Sequence, residues 1–210
     1  MQTVALIDYG SGNLRSAEKA LVKAADGASR IVVTCDPQTV ASADRIVLPG
    51  VGAFSACMTA LSDRPGLIEA MTQAVRAKGR PFLGICVGMQ LLASRGLEFG
   101  ETRGLNWIGG DVRRVEPSDP AAKIPHMGWN TLVSPQGPDM IAAIGDAPMY
   151  FTHSFAFYPN DETDVAAWVE HGGRFPAAVA KGNVAGVQFH PEKSQSAGLA
   201  LLARFLEWRP

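Results

Sequence analysis

Only three of the 210 residues are cysteine, Cys35, Cys57 and Cys86, and no two of them form a Cys-x-x-Cys pair. That odd, unpaired set excludes a disulfide framework and a cysteine-rich zinc site. Charge is also sparse. Charged residues make up 19% of the chain, and 19 Lys and Arg against 20 Asp and Glu leave a net charge of −1. No global basic field exists to recruit nucleic acid, and only Arg113 and Arg114 are adjacent basic residues. No apolar run is long enough to cross a bilayer. The opening Met1–Asp8 has no basic segment ahead of a long apolar one, so it reads as a first strand, not a signal peptide. The expected compartment is the reducing cytoplasm, where a lone cysteine stays a thiol. Internal repeats, low-complexity tracts and linkers are absent as well.

Hydrophobic residues reach 47%, an ordinary share for a globular chain, and the length suits one domain over residues 1–210. The first half alternates strand and helix patterns. Val4–Ile7, Ile31–Val33, Ile46–Leu48 and Phe82–Ile85 are short apolar runs. Leu14–Ala25 has helical spacing through Leu14, Ala17, Leu21 and Ala24. A helical region over Ala53–Lys78 is broken near Pro65-Gly66, and another helix, Val87–Ser94, starts directly after Cys86. Such alternation predicts parallel βαβ units. From Leu105 to Val133 and from Met149 to Val187 the pattern becomes short strands between turn residues. Val184–Phe189 is a last apolar strand. Ser196–Trp208 closes the chain as a helix with a stripe of Leu199, Leu202, Phe205 and Leu206. The expected architecture is an α/β domain carrying an antiparallel insertion.

Three stretches carry chemistry. Gly84-Ile85-Cys86-Val87-Gly88 stands between a strand and a helix, the setting of a nucleophile elbow. The glycines remove side chains that so tight a turn would crowd. The helix dipole favours the thiolate, and the Val87 N–H is placed to donate to an oxyanion. Taken alone, the pentapeptide reads equally well as a buried cysteine between packing glycines. His190-Pro191-Glu192 ends a strand, and its i, i+2 spacing lets Glu192 orient a proton-carrying His190. The Pro-Cys-x-x-Cys of a zinc deaminase is absent. Pro49-Gly50-Val51-Gly52 supplies backbone N–H groups for an anion, but lacks the Gly-Lys-Ser/Thr ending of a nucleotide loop. His171 reads as a turn residue, and neither His126 nor His153 has metal-ligand spacing.

Together these stretches resemble the class I, or triad, glutamine amidotransferases, whose motifs stand in this order. The resemblance runs from Val4 to Phe205. Ile7–Ser16, Pro125–Asn130, Tyr150–Ser154 and Gly186–Gln195 are similar to one branch, the glutaminase subunits that pair with a cyclase in histidine biosynthesis. The resemblance implies a flavodoxin-like three-layer αβα fold with a mostly parallel central sheet. It implies that Cys86 attacks glutamine to form a γ-glutamyl thioester, that His190 moves the protons and that Glu192 orients His190. Val51 and Val87 become oxyanion donors. Gly50, Gly52, Gln90, His153, Ser154 and Phe155 become substrate-binding residues, with Phe155 standing where a tyrosine is expected. Asn13, Trp129 and Lys193 fall at or near the face for a (β/α)8 cyclase subunit in a heterodimer, which receives the ammonia and switches the glutaminase on. The resemblance implies no metal and no organic cofactor. Two other readings are open. A triad amidotransferase for pyridoxal phosphate synthesis is opposed by the opening motif and Lys193-Ser194. A redox sensor on the same fold needs neither His190 with Glu192 nor Gln90.

Overall fold

The computed structural model describes residues 1–210. In the first half, strands β1 (Gln2–Ile7), β2 (Ser29–Thr34), β3 (Arg45–Gly50) and β4 (Phe82–Cys86) alternate with helices. These are α1 (Leu14–Ala25), α2 (Pro37–Ser42), α3 (Phe54–Ser62) and α4 (Leu67–Thr72), the last continued by a π turn over Gln73–Ala77. Helix α5 (Val87–Gln90) follows β4 directly and is shorter than its sequence pattern suggests. The break between α3 and α4 falls at Gly66, whose φ of 77° no helix accommodates. Helix α2 has no apolar stripe to announce it. Asp36 caps it by accepting from the Thr39 N–H at 2.9 Å, Pro37 opens its first turn, and Val40 is its one buried residue.

The second half runs through β5 (Arg95–Gly96), β6 (Thr102–Arg103), β7 (Gly110–Arg114), β8 (His126–Asn130) and β9 (Leu132–Val133). Helix α6 (Asp139–Ala142) then leads to β10 (Met149–His153), β11 (Phe155–Pro159), β12 (Val165–Glu170), β13 (Arg174–Lys181), β14 (Val184–Val187) and helix α7 (Gln195–Glu207). One eight-stranded sheet has the order β2-β1-β3-β4-β14-β13-β12-β9. The pairs from β2 to β14 are parallel, in the flavodoxin order with β14 as fifth strand, and the pairs beyond are antiparallel. The antiparallel part is therefore not one inserted body. Three of its strands widen the central sheet, and the rest form a four-stranded sheet, β11-β7-β5-β6, in which β5 and β7 run parallel, and a two-stranded one, β10-β8.

Every residue of β3, β4 and β14 is buried, as expected of strands covered on both faces. Helices α1, α6 and α7 form one packing group, and α2, α3 and α4 another. On α7 the buried stripe is Leu201, Leu202, Phe205 and Leu206, so Leu201 takes the place expected of Leu199, which is only partly covered. Gly198 brings α7 against the turn Pro191–Lys193, where a Cβ would overlap the Pro191 carbonyl. That close packing fixes the segment after β14. In register, Gly50 lies beside Cys86 and Ile85 beside Val187. The loop after β3, the turn after β4 and the segment after β14 thus meet at the carboxyl edge of three adjacent strands, where open α/β sheets hold their ligands.

Candidate active site

Cys86 sits at φ 55° and ψ −115°, a posture that non-glycine residues rarely adopt. The backbone around it is packed too closely for side chains. A Cβ on Gly84 would overlap the Gly88 carbonyl, and one on Gly88 would overlap the Leu48 carbonyl. A Cβ on Gly50 would meet the Gly88 N at 2.7 Å. The glycines of the elbow and of the Pro49–Gly52 loop are thus one packing unit, with Cys86 raised at its edge and 4% exposed.

His190 Nδ1 is 2.8 Å from Glu192 Oε1, both side chains being almost wholly buried. A carboxylate there holds the proton on Nδ1 and turns Nε2 to the reaction. Burial disfavours a charged ring, but the Cys86 thiolate and the Glu192 carboxylate outweigh it and raise His190 from 6.5 to about 9. Cys86 and His190 line one cleft of about 310 Å³, together with Val51, Gly52, Val87, Gln90, His153, Ser154 and Phe155. Every residue expected on the substrate side lines it except Gly50, which lies beneath. The arrangement sets a thiol, an imidazole and a carboxylate paired with it around space for a small molecule, the groups that nucleophilic catalysis requires.

The chain matches the family described as "Glutamine amidotransferase class-I" over residues 5–208. The chain belongs to the class-I glutamine amidotransferases. It is 63% identical, over all of both chains, to the imidazole glycerol phosphate synthase subunit HisH of Caulobacter vibrioides. It is 54% identical to the subunit of that name from Zymomonas mobilis, over 99% of this chain and 97% of that one. Its fold is similar to that in a crystal structure of a glutamine amidotransferase, with a TM-score of 0.72 at 20% identity and 97% of each chain covered.

In this amidotransferase the Pro49–Gly52 loop is tied to the β1–α1 loop. The Val51 carbonyl accepts from Ser11 Oγ at 2.8 Å and from Cys57 Sγ at 3.3 Å. The Val51 N–H makes a long bond, 3.4 Å, to Ser11 Oγ, so it is not free for an oxyanion in this arrangement. Tyr9 Oη anchors the loop from below by donating to the Pro49 carbonyl at 2.8 Å. Burial raises the Cys57 thiol, which makes Cys57 a poorer nucleophile.

Phe155 contributes backbone, not a hydroxyl. Its carbonyl accepts from Gln90 Nε2 at 3.0 Å. Three cleft-side residues had no role assigned from the sequence. Glu98 lines the cleft while its Oε2 accepts from the Phe54 N–H at 2.8 Å. Thr152 lines it from β10. Gln188 accepts from Gln90 Nε2 at 2.9 Å and sets its own Nε2 3.8 Å from Cys86 Sγ. Glu98 is on a short hairpin with no motif around it. Gln188, two residues before His190, could have been found from that nearness.

The three residues expected at a partner face do not form one patch by contact. Trp129, 48% exposed on β8, meets Tyr150 edge to face at 5.8 Å, and Lys193 Nζ stands 5.6 Å over the same Tyr150 ring. Asn13 lies apart, at the start of α1. Its side chain makes no cap bond there, and it borders a small cavity shared with His190 and Glu192.

Proposed function

We propose that this chain is the glutaminase subunit of an imidazole glycerol phosphate synthase, a single domain that releases ammonia from glutamine for a cyclase subunit. The observation that carries the reading is Cys86 in a strained elbow beside a His190–Glu192 pair. The Cys86 thiolate attacks the glutamine Cδ, and the carbonyl electrons move to oxygen. The Val87 N–H, at the start of α5, and the Val51 N–H receive that oxyanion. His190 gives its proton to the departing nitrogen, ammonia leaves, and a γ-glutamyl thioester remains. Water then attacks the thioester as His190 takes its proton, and collapse releases glutamate and restores the thiolate. No metal or organic cofactor enters this scheme. Glu98 is set to pair with the substrate ammonium, and Gln90 borders the substrate as well.

Coupling to the partner lies in the Val51 peptide. With its N–H turned to Ser11, the hole lacks one donor, which withholds about 3–4 kcal/mol of transition-state stabilisation, roughly a hundred- to a thousandfold in rate. The plane that carries this N–H lies between Gly50 and Val51, and Gly50 has no Cβ to obstruct its rotation. A (β/α)8 cyclase docking over Trp129, Lys193 and Asn13 to form a heterodimer turns it inward and receives the ammonia. No helix here is long and apolar enough to cross a membrane, and we place the reaction in the cytoplasm.

The test is glutamate release by the chain alone, with the cyclase, and with the cyclase plus its nucleotide ligand. The expected rise is at least about a hundredfold from first to last; equal rates would refute the coupling. Cys86→Ala should abolish glutamine-dependent synthesis and spare synthesis from ammonium salts. A glutamine-analogue electrophile should label Cys86 and not Cys35 or Cys57, and labelling chiefly at either would overturn the assignment.

A further inference from the structure

An unbroken chain of hydrogen bonds links strand β8 to the nucleophile, and the reaction above uses only its last members. It begins at Asn130, whose Nδ2 donates to the Glu170 carbonyl at 2.8 Å and lies 3.2 Å from His126 Nε2. His126 Nδ1 is 3.0 Å from His153 Nε2, and His153 Nδ1 is 2.9 Å from the Phe155 carbonyl. The same carbonyl accepts from Gln90, which donates to Gln188, which reaches Cys86 Sγ.

Donor and acceptor chemistry allows one assignment throughout. A carbonyl only accepts, so His153 carries its proton on Nδ1 and accepts at Nε2. His126 must then donate from Nδ1, leaving Nε2 to accept from Asn130. Asn130 Oδ1 is already taken by the Thr131 N–H at 2.9 Å, which fixes the orientation of the amide. Both rings are thus neutral. They are also closely packed, since both are buried and His126 lies between Phe151, at 4.7 Å, and His171, at 4.2 Å, stacked on each. Burial first, then the nearby histidines, lowers His126 from 6.5 to about 3. Burial also dominates at His153, lowered to about 4, against the opposing pull of its bond to the Phe155 carbonyl.

The two faces of β8 have different fates. Met127 and Trp129 project outward, 63% and 48% exposed, while His126 is 3% exposed beneath them. A body that seats on the outer face presses on the strand that holds His126. We infer that His126 and His153 are positioning residues of the glutaminase site. As neutral Nδ1–H tautomers they fix the Phe155 carbonyl, and through it the Gln90–Gln188 pair beside Cys86, so that the cleft wall is held in register with β8. This rests on the glutaminase reading, in which β8 lies at the cyclase face.

The first arm of the test needs no activity. Ring ¹⁵N shifts of the wild-type chain should report Nδ1–H tautomers at both residues, unchanged from pH 5 to 8. Titration in that range, or an Nε2–H tautomer, at either ring would overturn the inference. In the second arm, His126→Asp places an acceptor where His153 needs a donor, whereas His126→Asn keeps a donor at the same distance along the side chain. In the complex with cyclase, His126→Asp should raise the glutamine KM about tenfold or more, the loss of one well-placed bond. Ammonium-dependent synthesis should stay unchanged, and His126→Asn should return KM to within about threefold of wild type. Equal KM values for His126→Asp and wild type would overturn the positioning role. A wild-type complex without glutaminase activity would instead sink the glutaminase reading, while the ring shifts still decide the tautomers.

Discussion

At the scale of single residues, reactivity follows from how charge is arranged around one thiol. A thiolate nucleophile is favoured by a nearby cation, and His190, raised to about 9, is a cation at neutral pH. In the proposed reaction the imidazolium also protonates the leaving nitrogen, so glutaminase activity should fall as pH rises through about 9, and a pH–rate profile flat to pH 10 would contradict this. The stability linkage has the same direction. A raised histidine pKa contributes fully below its unfolded value of 6.5 and is lost as pH climbs through about 9. His190→Ala removes the proton carrier and should cost at least about a thousandfold in steady-state turnover. Glu192→Ala removes only the group that orients it and should cost less; the reverse order would exchange their roles. Cys86, His190 and Glu192 were legible as letters because their motifs are local. Glu98 was not, since its partner is backbone far away in the chain, and Gln188, though near His190, shows its bond to Gln90 only in the fold.

Elements decide where those residues meet. The carboxyl ends of β3, β4 and β14 come together only because glycines let backbone touch backbone. Gly88 is the sharpest case, as a Cβ there would occupy the space of the Leu48 carbonyl. Gly88→Ala should destabilise the fold by about 3 kcal/mol or more, beyond ordinary overpacking, because the obstacle is strand backbone that cannot rotate away. Gly27→Ala, with φ 79° and nothing within 4 Å, should cost only the left-handed penalty of about 1–2 kcal/mol. Urea unfolding of the two variants measures the contrast, and equal losses would show that the elbow relaxes freely. The Gly84–Gly88 pair announced a tight turn in the sequence, but the partner of Gly88 is 40 residues earlier and could not be read there. Helix α5 ended early for a similar reason. After Gln90 the chain turns to run beneath the Gly104–Ile108 segment, whose backbone bonds to Leu91, Leu92 and Ala93 replace helical ones.

At the scale of the whole molecule, the buried histidines make stability depend on acid. Unfolded, His126 and His153 take up protons near 6.5; folded, they resist until about 3 and about 4. Stability is therefore complete above 6.5 and is lost as pH falls below it, because the unfolded state binds more protons. Near pH 5 the loss is about 2 kcal/mol for each residue, while the His190 contribution, already complete below 6.5, does not change. The urea midpoint should drop between pH 7 and 5, and His126→Asn should make that drop shallower; an unchanged midpoint would contradict the burial of neutral rings. The sequence by itself determined the βαβ alternation, the tight turn at Cys86 and the family, because each rests on a short period or a motif within about ten residues. Only the tertiary structure decided that the antiparallel strands divide between the central sheet and two smaller ones, that the Val51 N–H faces Ser11, and that two histidines 27 residues apart share a proton between β8 and the cleft. Those outcomes depend on hydrogen-bond direction and strand pairing between segments far apart in the chain, and no local spacing of residue types encodes them.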